Sequence, residues 1–226
     1  MKYQAYIFDM DGTLADTSPG VFEGVRRTMQ ALGEPPVPEE QLGRFIGPPL
    51  WTSFRETGKL PPERVAEAVE LFRGYYSKTG IYESNLYPGM RELLTALQAS
   101  GAALLVATLK LEGLAQTMVK HVGLDCFTAV VGADPEGHRT KRDTIALGME
   151  LAGVTDPKRV LMIGDSEFDA IGAAEAGVDF CAALYGFGLD EAKADLHPCV
   201  FKIREPLELL EKLGLGGGAP PPAIRA

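Results

Sequence analysis

Two pairs of acidic side chains stand directly after apolar runs, at spacings that suit phosphoryl chemistry. The first run, Tyr6-Ile7-Phe8, leads into Asp9-Met10-Asp11-Gly12-Thr13. Carboxylates two residues apart just past a strand can share one reaction, one as nucleophile and the other as proton donor and acceptor. Gly12 would let the backbone approach an anionic ligand closely. A solvated acidic turn would use the same residues, because D-x-D-G is also good turn chemistry. The second pair lies in Gly164-Asp165-Ser166-Glu167-Phe168-Asp169. If a helix starts near Ser166, Asp169 falls one turn on from Asp165 and on the same side. Set opposite Asp9 and Asp11, these acids form an oxygen-only nest suited to Mg²⁺. The structural alternative is capping of that helix by Asp165.

Other polar residues follow the remaining runs. Val106-Ala107 ends in Thr108-Leu109-Lys110. The Thr108 hydroxyl could donate to a phosphoryl oxygen or simply cap the next helix, and Lys110 reads as a surface residue near the site. The loop 132–140 precedes Lys141, at the start of a helical pattern. A cation there, beside free helix N–H groups, would stabilise charge on a transferring phosphoryl group. Arg139 and Arg142 could substitute for it, and His138 is the one histidine kept as a reserve.

The elements that would position these groups are short apolar runs alternating with helical patterns. Strands are expected at 6–8, 103–107, 129–131, 160–163, 180–183 and 200–203, and helices near 90–99, 111–122, 142–152, 167–176 and 206–213. Strands apolar throughout and separated by helices describe a doubly wound, Rossmann-like parallel sheet covered on both faces, with ligands at the carboxyl ends of its strands. Residues 17–87 break the alternation. They show helical periodicity at Val21, Val25, Thr28, Met29 and Leu32, and again at Val65, Ala68, Val69 and Phe72, punctuated by Pro35-Pro36, Pro48-Pro49 and Pro61-Pro62. The expected organisation is an α/β core of residues 1–15 and 88–213, an inserted all-helical cap of residues 16–87, and a flexible Gly/Pro-rich tail at 214–226.

The chain has 226 residues, with 22 Lys plus Arg against 31 Asp plus Glu and a net charge of −9. That balance argues against nucleic-acid and membrane partners, and no segment has the apolar length of a membrane span. Cys126, Cys181 and Cys199 lack metal or redox spacing and read as small buried hydrophobes. A soluble cytoplasmic protein is expected, with monomer and homodimer both open.

The four motifs, in this order and spanning nearly the whole chain, resemble the haloacid-dehalogenase-like (HAD) hydrolase superfamily: Asp9 to Thr13, Thr108, Lys141, and Gly164 to Asp169. Phe45-Ile46-Gly47-Pro48-Pro49-Leu50 and Tyr87-Pro88-Gly89-Met90 are similar to its phosphoglycolate phosphatase and 5′-nucleotidase-like branch. Leu109 departs from the small polar residue usual there, and Lys141 is followed by Arg142-Asp143 and not by the K-P-x-P form. The resemblance implies a Mg²⁺-dependent phosphomonoester hydrolase acting on a small phosphorylated metabolite, such as phosphoglycolate, a nucleoside monophosphate or a sugar phosphate. It implies Asp9 as nucleophile, Asp11 as acid and base, and Thr108 and Lys141 holding phosphoryl oxygens, with Gly12 and Leu109 beside the phosphate. It further implies metal ligation by Asp9, the Asp11 backbone carbonyl, Asp165 and Asp169. Trp51, Arg55 and Lys59 are cap residues that could meet substrate. A β-phosphoglucomutase-like phosphosugar mutase would share these motifs but require bisphosphate activation. A receiver module would lack the cap, and a dinucleotide-binding protein would need glycines where Asp-Met-Asp-Gly-Thr stands.

Overall fold

The computed structural model describes residues 2–216. Six parallel strands form one sheet in the order β5-β4-β1-β6-β7-β8: β1 (Ala5–Phe8), β4 (Ala103–Leu111), β5 (Ala129–Ala133), β6 (Val160–Gly164), β7 (Asp179–Ala183) and β8 (Phe201–Ile203). The reason they are apolar throughout is visible in the register. Tyr6 pairs with Leu104 and Leu161, and Ile7 with Leu105 and Met162. Tyr6, Phe8, Leu104, Val106, Leu161 and Ile163 face one layer of core. Ala5, Ile7, Leu105, Ala107, Val160 and Met162 face the other. Both faces are buried, so side chains pointing either way must be apolar.

Helices α4 (Met90–Ala99), α5 (Glu112–His121), α6 (Lys141–Leu151), α7 (Glu167–Ala176), α8 (Glu191–Ala194) and α9 (Glu208–Lys212) connect or follow the strands. The chain builds outward from β1 to β4 and β5, then returns to β1's other edge with β6. Strand order therefore reverses around β1, and its carboxyl end opens on the crevice where ligands of such sheets bind.

Between β1 and β4 the chain forms α1 (Ser18–Leu32), α2 (Leu50–Glu56) and α3 (Pro62–Tyr76). The periodic residues of α1 and α3 are buried. The Pro pairs act as helix punctuation: Pro49 caps α2, and Pro61-Pro62 opens α3, where a missing N–H costs nothing. Rings of Phe45, Phe54, Phe72 and Tyr76 form a ladder with centroids 5.1, 6.1 and 5.4 Å apart, the first two contacts edge-to-face and the last stacked.

Four details differ from the sequence-based expectation. A short antiparallel ladder pairs β2 (Ala15–Asp16), just before the stretch expected to be strand-free, with β3 (Asn85–Leu86), near the end of it. The one-turn helix α8 was not expected. The strand expected to end at Ala107 continues to Leu111, and pairing passes from Ala107↔Val131 to Leu111↔Ala133, so four steps on β4 oppose two on β5. Such an irregularity re-aims side chains, here Thr108, Leu109 and Lys110. Finally, the first residues of the expected tail cap α9, since the Leu215 amide donates to Leu210 O at 2.8 Å. Residues 217–226 of that tail lie outside the described residues.

Cys181 is buried, while Cys126 and Cys199 are half-buried, and all three are free thiols. Among the described residues no helix is long and apolar enough to cross a membrane.

Candidate active site

The first four residues past β1 fold back on themselves. Gly12 adopts φ +82° and its amide donates to Ala15 O at 3.0 Å. A Cβ on Gly12 would lie 2.3 Å from Asp165 Oδ2. The group that needs the glycine's bareness is thus a carboxylate of the protein itself, and the amide is already used within the turn. Asp9 continues the ladder, its amide donating to Ile163 O at 2.9 Å, which fixes it at the sheet's carboxyl edge.

Asp165 leaves the end of β6 and is 3% exposed. Thr13 Oγ1 donates to its Oδ1 at 2.9 Å, and the amides of Phe187 and Gly188 donate to Oδ2 at 2.9 and 3.4 Å. A Cβ on Gly186 would lie 2.3 Å from the Asp165 Cβ, so the loop after β7 closes over this acid only because it is bare there. Tyr185 ties the same loop to Thr13, donating to its carbonyl at 3.0 Å. Neither this loop nor Thr13 was assigned a role from the sequence; the alternating glycines at 186 and 188, just past a strand, were the available signal.

Asp165 does not cap α7. Ser166 is the N-cap, in a capping box with Asp169, whose Oδ2 accepts from the Ser166 amide and hydroxyl at 3.0 and 2.6 Å. This leaves Asp169 Oδ1 aimed inward, 2.6 Å from Lys141 Nζ. Lys141 is the first residue of α6, set there by a second capping box between Thr140 and Asp143. Its ammonium donates to Asp9 Oδ1 at 2.6 Å. Gly172 of α7 makes room for its stem, since a Cβ there would be 2.7 Å from Lys141 Cγ. Arg139 and Arg142 are committed elsewhere, to Glu112 and Asp143, and His138 is exposed.

Oxygens of Asp9, Asp165 and Asp169 lie within 4.8 Å of one another, all buried. Burial raises the Asp9 carboxyl to about 6; the Lys141 charge opposes this and Asp169 adds to it. Burial, then repulsion from Asp169 and Asp9, pushes Asp165 up to about 8. Burial works against the Lys141 ammonium, but Asp169 and Asp9 overcome it and hold its pKa above the ordinary lysine value. Asp9, Asp165 and Asp169 thus share the single ammonium of Lys141, and their ionised forms outnumber it in a dry site. An all-oxygen set with that deficit fits a hard divalent cation.

Asp11 is apart from this cluster. Both its oxygens accept from Lys110 Nζ at 2.8 Å, and the same nitrogen donates to Tyr76 Oη at 3.0 Å. Lys110 is half-buried, with its side chain only 8% exposed, contrary to its expected place on the surface. The bulge in β4 directs it inward, where Asp11 compensates its charge.

Asp9, Asp11, Thr108, Leu109, Lys110 and Lys141 line a small polar cavity of about 20 Å³, with Gly47, Ser166 and Phe168 completing its walls. Thr108 does not cap α5; the N-cap is Leu111, and the Thr108 hydroxyl accepts from the Lys110 amide at 3.2 Å. A second cavity of about 420 Å³ opens from the first, between the sheet and α2–α3. Phe45, Ile46, Trp51, Phe72, Leu109 and Leu114 supply apolar walls, with Arg73 and Arg139 at its polar parts. Of the three residues singled out between β1 and β4, Trp51 reaches this cavity. Arg55 is turned to Glu56, and Lys59 is exposed.

The chain is similar to a 5′-nucleotidase from Pseudomonas aeruginosa, with 34% identity covering 88% of this chain and 92% of that one. It is 35% identical to tyrosine-protein kinase PtkA from Mycobacterium tuberculosis, over 82% of this chain and 63% of that protein. A solved haloacid dehalogenase-like hydrolase from Streptococcus pneumoniae superposes with a TM-score of 0.87 at 33% identity, covering 94% of this chain and 99% of that one. The sequence profile of the haloacid dehalogenase-like hydrolases matches residues 6–183, from β1 through β7. With the sheet order, the acid cluster and this match together, the chain belongs to the haloacid dehalogenase-like hydrolase family.

Proposed function

We propose that this hydrolase is a Mg²⁺-dependent phosphomonoesterase working through an aspartyl-phosphate on Asp9. The observation that carries the reading is the convergence of Asp9, Asp11, Thr108 and Lys141 on one small polar cavity beside a large one. Lys141 occupies Asp9 Oδ1, which leaves Oδ2 to attack phosphorus. As that bond forms, the P–O bond to the leaving group breaks, and Asp11 donates its proton to the departing oxygen. Asp11 then takes a proton from water, whose oxygen attacks the same phosphorus. Inorganic phosphate leaves, and Asp9 returns as a carboxylate. Thr108 and Lys141 hold phosphoryl oxygens through donors already fixed by the fold.

Asp9, Asp165, Asp169 and the Asp11 carbonyl would hold Mg²⁺, which supplies charge neutralisation for the phosphoryl oxygens. In this reading the helical segment between β2 and β3 is a cap, and it excludes water from the attacked phosphorus. The large cavity favours a leaving group of nucleoside size over the two carbons of phosphoglycolate.

The test is phosphate release from a panel of phosphomonoesters, with Mg²⁺ and with chelator, beside Asp9→Asn. Metal-dependent release by the wild type, and a loss of about 10³-fold or more in the variant, are expected. No release from any ester by folded protein, or transfer to tyrosine in place of release, would sink the proposal.

A further inference from the structure

Asp11, Gly47, Leu109 and Lys110 line both cavities. A substrate with its phosphoryl group in the small cavity and its leaving group in the large one has its ester oxygen at this junction, beside Asp11. The carboxylate there is held by Lys110, two residues past Thr108, and through it by Tyr76 of α3. Lys110 Nζ donates to both Asp11 oxygens and to Tyr76 Oη, which commits all three of its N–H donors within the protein. The Lys110 side chain is 8% exposed and Tyr76 is 2% exposed. An ammonium so occupied has no donor left for a substrate anion, so binding the phosphoryl group is not its evident use. Tyr76 is the last residue of α3 and the end of the ring ladder from Phe45, so the phenol's place depends on how α2 and α3 pack.

We propose that Lys110 and Tyr76 are positioning residues for Asp11, the ammonium aiming the carboxyl group at the leaving oxygen and the phenol of α3 fixing the ammonium. The inference rests on the reading of Asp11 as general acid. It makes proton delivery depend on the seating of the helical segment against the sheet, through one side chain from each.

The experiment compares kcat/KM for p-nitrophenyl phosphate, whose leaving group departs without a proton, with that for an alkyl phosphate, whose alkoxide needs one. Both are measured in Mg²⁺ for wild type, Lys110→Met and Tyr76→Phe. General acid catalysis supplies about 10²–10⁴-fold. Lys110→Met is expected to lose about 30-fold or more on the alkyl ester while staying within about fivefold of wild type on p-nitrophenyl phosphate. Tyr76→Phe should shift the ratio in the same direction by about 3–10-fold. An equal loss on both esters would assign Lys110 to phosphoryl binding and overturn the proposal, as would no loss on either. If Lys110→Met fails to unfold cooperatively, the ratio in Tyr76→Phe decides. A folded wild type inert on both esters overturns the phosphatase reading, and this inference with it.

Discussion

Asp9 Oδ1 sits 2.6 Å from the Lys141 ammonium, joining the end of β1 to the first residue of α6 across 132 positions of sequence. The same nitrogen lies 2.6 Å from Asp169, so one cation serves two of three clustered acids.

Removing that cation should leave buried carboxylates without a partner. Lys141→Met is expected to lower the metal-free unfolding free energy by about 3–5 kcal/mol, the usual cost of breaking a buried ion pair from one side. Part of the loss should return with Mg²⁺ or at acid pH, where the acids are neutralised. Urea titrations with and without metal check this, and a variant unfolding at the wild-type midpoint without metal would contradict it.

Protonation of the cluster should set the metal's effect on stability. Asp9 and Asp165 are pushed up from 3.8 to about 6 and about 8. The folded metal-free protein therefore keeps protons that the unfolded chain has released. Stability from these groups is full below about pH 4 and is lost as pH rises through 6 and 8. Lys141 and Lys110, both raised from 10.5, contribute steadily across that window. Metal binds the ionised acids, so Mg²⁺ should raise Tm more at pH 8 than at pH 5.5. Calorimetry at the two values tests this; an equal or larger shift at pH 5.5 is the adverse result.

Asp165 is enclosed so tightly that one methyl group should move it. In Gly186→Ala the added carbon would meet Asp165 at 2.3 Å. The expected outcome is a folded protein needing about tenfold or more Mg²⁺ for half-maximal activation, in the range seen when support of a metal ligand is lost. A metal titration indistinguishable from wild type would show that the loop after β7 does not hold the acid.

Much of the molecule is legible without coordinates because its burial is local and periodic. The sheet strands are apolar on both faces, and α1 and α3 carry helical stripes, so each announces itself within a few residues. The ladder of Ala15–Asp16 with Asn85–Leu86 is too short to carry a period. The end of β4 is not legible in the sequence because its last residues are shaped by an irregular pairing with β5.

From the amino-acid sequence alone follow the chemistry-bearing residues, their order, and the strand ends that carry them. Asp9, Asp11, Thr108, Lys141, Asp165 and Asp169 are candidates from their places after apolar runs and from the resemblance those motifs carry. Which charge meets which was decided only in three dimensions. Lys110 looks like a solvated lysine until Asp11, 99 positions earlier, and Tyr76, 34 earlier, are brought against it. Lys141 reads as a helix-terminus cation until its ammonium is found between Asp9 and Asp169. Local sequence specifies backbone conformation through periodicity and capping. Pairing of buried charges depends on desolvation and on distances of a few ångströms, which arise only when remote segments share one dry volume.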